Sequence, residues 1–173
     1  LFFQFFTFHD IIPNVNARTH VDSKKILIAN SATIENNHMD ILHLLENICN
    51  FDHTVSLPMT YGQFRRYIAK LKQKFQAGLG NKVQFLESHL SLEAYYQFLD
   101  HHPTAIFMHY RQQGLGNIFY LLYNGTKIYL SRQNIIFNWL RKKGIYVYSI
   151  EDAFKLDYDQ GNLTLNSELA NEN

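Results

Sequence analysis

Residues 105–123 read AIFMHYRQQGLGNIFYLLY, which is a short apolar run, a polar loop with two glycines and a second, nearly all-apolar run. The first four residues predict a strand covered on both faces, as is typical of a parallel sheet. The run at 118–123 predicts a helix packed against that sheet, because it has almost no polar face. The stretch therefore predicts one strand-loop-helix unit of an α/β domain.

The same alternation continues in both directions along the chain. Upstream, strands are predicted at 26–29, 54–57 and 83–86, each followed by a helical pattern. Downstream, strands are predicted at 127–130 and 146–150. With right-handed crossovers, these six strands predict a Rossmann-like, doubly wound parallel sheet with the order 3-2-1-4-5-6.

The helical patterns also predict which side chains face the core. Phe64 and Leu92 are each expected to be the first inward residue of a helix, and Gly78 and Gly80 to mark where the second helix ends. That second helix carries a basic face, which is expected to be a solvated exterior, with contact with an anionic bilayer as the alternative. Its members are Arg65, Arg66, Lys70, Lys72 and Lys74.

Composition and charge describe an ordinary globular chain. The chain has 173 residues, 46% of them hydrophobic, and this length favours one domain. The net charge of +1 gives no sign of nucleic-acid binding. Cys49 is the only cysteine, so an intrachain disulfide cannot form and a reducing compartment fits best. The nine histidines include no His-x-x-x-His pair. Neither a metal nor a cofactor is therefore expected.

Three segments are expected along the chain. Residues 1–23 open with an aromatic run and are expected to be a stub or interdomain segment of a longer protein. Residues 24–155 hold the predicted sheet and helices. Residues 156–173 are mostly polar, and we expect them to form a frayed tail.

The predicted strand order also places a ligand site. In doubly wound sheets, ligands bind beyond the carboxyl ends of the strands, at the point where the strand order reverses. Here that point lies between the first and fourth strands. The loops after Ala29 and Met108 are therefore expected to face each other.

The loop at 109–117 has the features of an anion site. Gly114 and Gly116 have no Cβ atom, so the free N–H groups at the start of the next helix can approach a phosphate. The positive end of that helix contributes about 1 kcal/mol, and Arg111 can add a charge-assisted contact. The alternative is a tight strand-to-helix turn with an exposed arginine.

The loop at 30–38 is rich in amide and hydroxyl groups where a dinucleotide-binding domain has glycines, which argues against NAD. The alternative role for Asn36, Asn37 and His38 is helix capping. Glu87 is expected either to accept a hydrogen bond from a ribose or base, or to be a solvated loop carboxylate. The chain has neither a P-loop nor a Gly-x-Ser-x-Gly elbow, which argues against NTPase and hydrolase chemistry.

Three segments carry a resemblance to a known family. They are Ile28-Ala29-Asn30-Ser31 through Asn36-Asn37-His38, then Leu57-Pro58-Met59-Thr60-Tyr61-Gly62, then Arg111-Gln112-Gln113-Gly114-Leu115-Gly116. In order and spacing the chain resembles glycosyltransferase family 56 from about Lys25 to Phe154. In that family the residue before Asn-Ser is usually glycine, and here it is Ala29.

The resemblance implies an architecture and a set of site residues. The chain would be the C-terminal half of a GT-B enzyme, the half that holds most of the sugar nucleotide. Residues on the diphosphate or sugar side would be Asn30, Ser31, Asn37, His38, Arg111, Gln112, Gln113, Gly114, Gly116 and Asn117. Residues nearer the nucleoside would be Tyr61, Gly62 and Glu87.

The resemblance also implies an activity. It implies inverting, metal-independent transfer of a 4-acetamido-dideoxy sugar such as Fuc4NAc from TDP to a polyprenyl-diphosphate-linked glycan, as in enterobacterial common antigen synthesis. The acceptor and the general base would belong to an N-terminal domain, and this part alone would transfer nothing. The location would be the cytoplasm, with peripheral contact on the cytoplasmic face of the inner membrane.

Three alternatives remain open at this point. One is a related GT-B transferase with another sugar nucleotide, and another is a Rossmann-like binding or assembly domain that has lost turnover. The third, a sugar-nucleotide epimerase or dehydrogenase, would need a glycine-rich first loop, which the sequence does not have.

Overall fold

The computed structural model describes residues 24–62, 64–166 and 169, so the expectation for residues 1–23 lies outside the described residues. The strands are β1 Lys25–Ile28, β2 Thr54–Pro58, β3 Val83–Leu86, β4 Thr104–Phe107, β5 Lys127–Leu130 and β6 Tyr148–Ser149. All neighbours pair in parallel. They form one sheet in the order β3-β2-β1-β4-β5-β6, which confirms the predicted topology.

In the described part of the chain a helix follows each strand, and the first five helices connect successive strands. The helices are α1 His38–Glu46, α2 Arg65–Leu79, α3 Leu92–Asp100, α4 Leu115–Tyr123, α5 Ile135–Lys142 and α6 Lys155–Asp159. Short 3-10 turns occupy Ile34–Asn36 and Gly80–Lys82, and a π-helical turn occupies Ile150–Phe154. As predicted, α2 ends between the two glycines, and Gly80 takes a positive φ of 60° just after it.

Side-chain alternation along β1 divides the core between the two faces of the sheet. Ile26 packs in a cluster with Leu45 of α1 and Phe75 of α2. Leu27 points the other way and packs in a cluster with Ile118 of α4. Because successive strand residues face opposite sides, this division shows helices on both faces of the sheet, as a doubly wound fold requires.

Two side chains expected in the core are exposed. Phe64 is 78% exposed and Leu92 is 62% exposed. Phe64 has an extended backbone at the cap position before α2, and Leu92 is the first residue of α3. At a helix start the chain has not yet settled into the helical repeat, so the 3.6-residue period does not predict the direction of these side chains.

The last predicted strand is shorter than expected. β6 covers Tyr148–Ser149 instead of 146–150, and it pairs only with β5. Since β6 is an edge strand, a neighbour on one side alone limits its length.

Part of the expected frayed tail belongs to the domain. Leu163 is only 3% exposed, and its carbonyl accepts a hydrogen bond from the Thr104 hydroxyl at 2.6 Å. Lys127, almost fully buried, donates to the Asn162 carbonyl at 2.6 Å and pairs with Asp157 at 2.8 Å. The expectation of a frayed tail after residue 155 is therefore wrong as far as Leu163, because this segment satisfies polar groups of two central strands.

Three histidines are buried within the described part of the fold: His38, His102 and His109. His102 is 1% exposed just after α3, and its Nδ1 donates to the Phe98 carbonyl at 2.8 Å. His38, at the start of α1, is fully buried, with Nδ1 3.1 Å from the Tyr67 hydroxyl. Burial lowers the pKa of His38 and of His102 to about 4, because a charged imidazolium loses its hydration there.

We expect the fold to lose stability as the pH falls from about 6.5 to 4. In this window the unfolded chain binds protons at His38 and His102 and the folded chain does not. The contribution of these two residues to the free energy of unfolding is therefore fully present above about pH 6.5 and is lost as the pH falls. Each histidine should contribute a slope of about 1.4 kcal/mol per pH unit. Urea unfolding between pH 7.5 and 4.5 measures this slope, and His102→Asn should lower it by about 1.4 kcal/mol per pH unit.

The exposed His43 on α1 provides the matched control, as His43→Asn removes a surface histidine. A free energy of unfolding that stays constant from pH 7 to 5 in the unmodified protein would contradict the expectation.

Candidate functional site

The carboxyl ends of β1 and β4 define the point where the strand order reverses. The two strands pair up to Ile28 and Ile106, and the Ala29 N–H donates to the Ile106 carbonyl at 2.9 Å. From there the chain runs from β1 toward α1 and from β4 toward α4 on the opposite face. The two loops therefore border one crevice, as the strand order predicts.

The Gln113 side chain joins these two loops. Its amide Nε2 donates to Asn36 Oδ1 at 2.8 Å, with longer contacts to Asn30 Oδ1 at 3.3 Å and Thr33 Oγ1 at 3.4 Å. Asn36 is fully buried, and its Nδ2 donates to the Ser31 carbonyl at 2.7 Å. The predicted residues Asn30, Ser31 and Gln113 are thus held in one hydrogen-bonded network, and their loops face each other.

Asn37 crosses between the loops at a second place. It has a left-handed backbone with φ of 52°, and its Nδ2 donates to the Met108 carbonyl at 2.8 Å. Asn37 occupies the cap position of α1, yet its side chain makes no capping hydrogen bond. The side chains of Asn36 and Asn37 therefore connect loops instead of capping the helix.

Two glycines allow neighbouring loops to approach closely. Gly114 does so for the two loops of the crevice, and Gly62 for the first loop and the segment after β2. A Cβ atom on Gly114 would lie 3.0 Å from Asn30 Cγ, and the glycine has a positive φ of 64°. A Cβ atom on Gly62 would lie 2.8 Å from the Ala32 Cβ, where the Ala32 N–H donates to the Tyr61 carbonyl at 2.6 Å. Any larger residue at either position would push the loops apart.

The start of α4 offers backbone N–H groups at this edge. Gly114 precedes the helix and makes no side-chain cap, and Ile118 N–H makes the first bond back to the Gly114 carbonyl at 3.0 Å. At Gly116 an added Cβ would have no atom within 4 Å, so the surface above it is open. This geometry can accept an anion against the helix end.

Arg111 lies at the same edge and is mostly exposed. Its guanidinium Nη2 is 3.5 Å from Glu35 Oε1 of the first loop, and its Nε is 3.4 Å from Gln113 Oε1. The side chain is 64% exposed, so it can turn toward a ligand. The neighbouring Gln112 is also exposed.

Other predicted site residues lie around this network without joining it. Tyr61 is 67% exposed and contacts the His89 ring edge-on at 5.2 Å. Glu87 pairs with Lys72 of α2 at 2.9 Å, as a solvated loop carboxylate would. His38 is buried beneath the first loop, with its pKa lowered by burial.

Asn117 in the first turn of α4 connects that helix to α3. Its Nδ2 donates to the Tyr95 hydroxyl at 2.7 Å. Burial raises the pKa of Tyr95 to about 12, so this hydroxyl remains neutral at physiological pH. The Asn117 side chain is thus engaged with the protein.

Sequence reasoning did not identify the residues that brace the Arg111 loop from the other side. His109 is fully buried, and its Nδ1 donates to the Arg111 carbonyl at 2.8 Å. Asn134, before α5, donates to the His109 carbonyl at 2.8 Å, and the Ile135 N–H contacts the Tyr110 carbonyl at 3.4 Å. Burial lowers the pKa of His109, which keeps it neutral. The available signal was a histidine directly after a buried strand.

The described part of the chain contains neither a metal-binding cluster nor a helix suited to span a membrane. In residues 24–62, 64–166 and 169, no three His, Cys, Asp or Glu side chains are grouped so that they could hold a metal ion. None of the helices in these ranges combines the length and apolar character that a membrane span requires.

Two solved structures are similar to this chain. The N-terminal domain of trehalose-6-phosphate phosphatase from Candida albicans matches with a TM-score of 0.61 and 11% identity, over 86% of this chain and 36% of that one. AviGT4, a glycosyltransferase involved in avilamycin A biosynthesis, matches with a TM-score of 0.57 and 10% identity, over 85% of this chain and 44% of that one. At these identities the likeness shows the fold alone. This chain spans less than half the length of either structure.

The family resemblance of the sequence is confirmed by a comparison with family models. The model described as 4-alpha-L-fucosyltransferase, glycosyl transferase group 56, matches residues 3–160. That match covers most of the 173 residues and includes both loops of the crevice. The chain therefore belongs to glycosyltransferase group 56.

Proposed function

We propose that this chain is the donor-binding, C-terminal half of a GT-B glycosyltransferase. The observation that carries the proposal is the network in which Gln113 joins Asn36 and Asn30 across the carboxyl edge of the sheet. It holds two polar loops side by side where doubly wound sheets bind ligands. Membership in a glycosyltransferase family makes a nucleotide sugar the ligand class that fits.

The diphosphate of the donor would lie against the start of α4. The open surface over Gly116 lets phosphate oxygens reach the first N–H groups of the helix, and Arg111 can turn to pair with them. When the glycosidic bond breaks, negative charge grows on the leaving diphosphate. The helix end and Arg111 would stabilise that charge in an inverting, metal-independent transfer.

The exposed surface of this edge supports a two-domain arrangement. Large apolar side chains occur in the segments that follow the carboxyl ends of β1 to β5, and they are 45–78% exposed. They are Ile34, Tyr61, Phe64, Leu92, Tyr110 and Ile135. Surfaces of this kind usually face a partner. An N-terminal domain that supplies the acceptor site and the general base would cover them.

For the substrates, the family description supports a deoxy-sugar donor. We propose TDP-linked Fuc4NAc or a closely related 4-acetamido-dideoxy sugar, transferred to a polyprenyl-diphosphate-linked glycan of enterobacterial common antigen. The transfer reaction would take place at the cytoplasmic face of the inner membrane. The basic face of α2, exposed at Arg65, Arg66 and Lys70, is the described surface suited to anionic headgroups.

A calorimetric titration of the full-length protein with TDP, UDP and GDP tests the donor site. We expect TDP to bind, and Arg111→Ala to weaken that binding about tenfold or more, because a charge-assisted hydrogen bond is lost. Transfer to a lipid-linked acceptor should fall at least as far. Arg141→Ala removes an exposed arginine in the last turn of α5 and is the control for overall charge.

If none of the three nucleotides binds, the donor-site proposal is wrong. Nucleotide binding without any transfer would instead favour a binding or assembly domain that has lost turnover.

Gly116→Ala separates ligand binding from stability. Nothing lies within 4 Å of the added methyl group, and alanine is the better helix residue, so we expect stability to rise by up to about 1 kcal/mol. The methyl group would stand over the first turn, where the diphosphate approaches, so TDP should bind less tightly. Thermal unfolding and calorimetry measure the two effects, and unchanged affinity would place the diphosphate elsewhere.

Gly114→Ala and Gly144→Ala form a matched pair. Both glycines have a positive φ, 64° and 79°, so each substitution should cost about 1 kcal/mol of backbone strain. Only at Gly114 does the new Cβ also approach a neighbour, at 3.0 Å from Asn30 Cγ. We expect Gly114→Ala alone to weaken TDP binding, by displacing Asn30 and Gln113. Equal loss of binding in both variants would argue against the role of the network.

A further inference from the structure

The carboxylate of Glu35 lies between the two loops of the crevice and has unused hydrogen-bonding capacity. Its Oε1 is 3.5 Å from Arg111 Nη2, and the side chain is 31% exposed. Its Oε2 is buried and has no hydrogen-bond partner among the described residues. A buried carboxylate oxygen without a donor is unfavourable, so this atom is suited to receive one.

Among the described residues, one cation and one hydroxyl group are the titratable neighbours of Glu35. Arg111 is the cation that faces it, and Tyr67 of α2 is the other titratable neighbour. The pKa of Tyr67 is raised by burial and by the negative charge of Glu35, so this hydroxyl stays protonated. That hydroxyl lies 3.1 Å from His38 Nδ1.

Arg111 cannot serve Glu35 and a diphosphate equally well. An exposed ion pair at 3.5 Å is weak, whereas a diphosphate carries more charge and can take two guanidinium N–H groups at once. A ligand diphosphate would therefore draw Arg111 away from Glu35. The carboxylate then loses the one cation that faces it among the described residues, and it can turn so that its unsatisfied oxygen meets a hydrogen-bond donor at the edge of the same crevice.

We propose that Glu35 is a donor-specificity residue, which holds Arg111 until a diphosphate takes it and then accepts a hydrogen bond from the donor sugar. The inference rests on the proposed function, since it assumes that a nucleotide sugar lies in this crevice. The recognised group is an O–H or amide N–H on the sugar. Sugars that lack a hydrogen-bond donor at this position would bind less tightly, because the carboxylate would remain without a partner.

The test compares TDP with TDP-Fuc4NAc on the full-length protein by calorimetry. Glu35→Ala should bind TDP about threefold to fivefold more tightly, because the competing ion pair and the repulsion of the diphosphate are gone. The preference for TDP-Fuc4NAc over TDP should fall about tenfold, because the acceptor is lost. Glu35→Gln keeps a neutral acceptor and should restore part of that preference.

Two further variants make the result specific. Asp152→Asn breaks the matched exposed pair between Arg132 and Asp152, 3.3 Å apart, and should change neither quantity. In the Arg111→Ala background, the gain in TDP affinity from Glu35→Ala should shrink, since there is no longer a pair to release.

The outcomes separate the inference from the proposed function. If TDP, UDP and GDP all fail to bind the unmodified protein, the proposed function fails. If TDP binds and Glu35→Ala leaves the sugar preference unchanged, Glu35 does not contact the sugar and the inference is overturned. The inference is also overturned if Glu35→Ala binds TDP no more tightly than the unmodified protein.

Discussion

The close approach of two loops between β1 and β4 is the constraint on which the site depends. Where the strand order of a parallel sheet reverses, the connections that leave the two neighbouring strands go to opposite faces of the sheet. This alone leaves a gap between the two connections. Gly114 allows its backbone to lie against Asn30, and Gln113 then reaches the buried Asn36 at 2.8 Å. The first loop thereby gains a fixed shape from the fourth crossover, which neither loop would have alone.

Sequence patterns predicted the sheet well because they report burial directly. β3 and β5 match the predicted limits, and the order of all six strands is the one that we chose among the doubly wound orders with right-handed crossovers. The two loops of the crevice were located for the same reason, since strand order alone brings them together. The sequence could therefore predict that the loops carrying Asn30, Ser31 and Gln113 would lie side by side.

Side-chain partners were harder to predict, because they depend on directions that the tertiary structure sets. A pattern cannot show that Asn37 reaches a carbonyl after β4, or that Glu87 turns toward Lys72. The polar composition after residue 155 likewise conceals a packed segment, whose carbonyls bind the buried polar ends of Thr104 and Lys127. Composition predicts average exposure, but not which polar atoms are needed inside.

At Ala29, backbone strain and side-chain burial have opposite effects on stability. Its φ is 60°, a left-handed conformation that costs an alanine roughly 1–2 kcal/mol, and the family resemblance leads one to expect glycine there. Its methyl group is fully buried in the core, which returns about 0.8 kcal/mol. Alanine is the largest step from glycine that this turn readily accepts, because a branched Cβ would worsen the strain. The turn nevertheless has to be made, since it directs Asn30 toward Gly114.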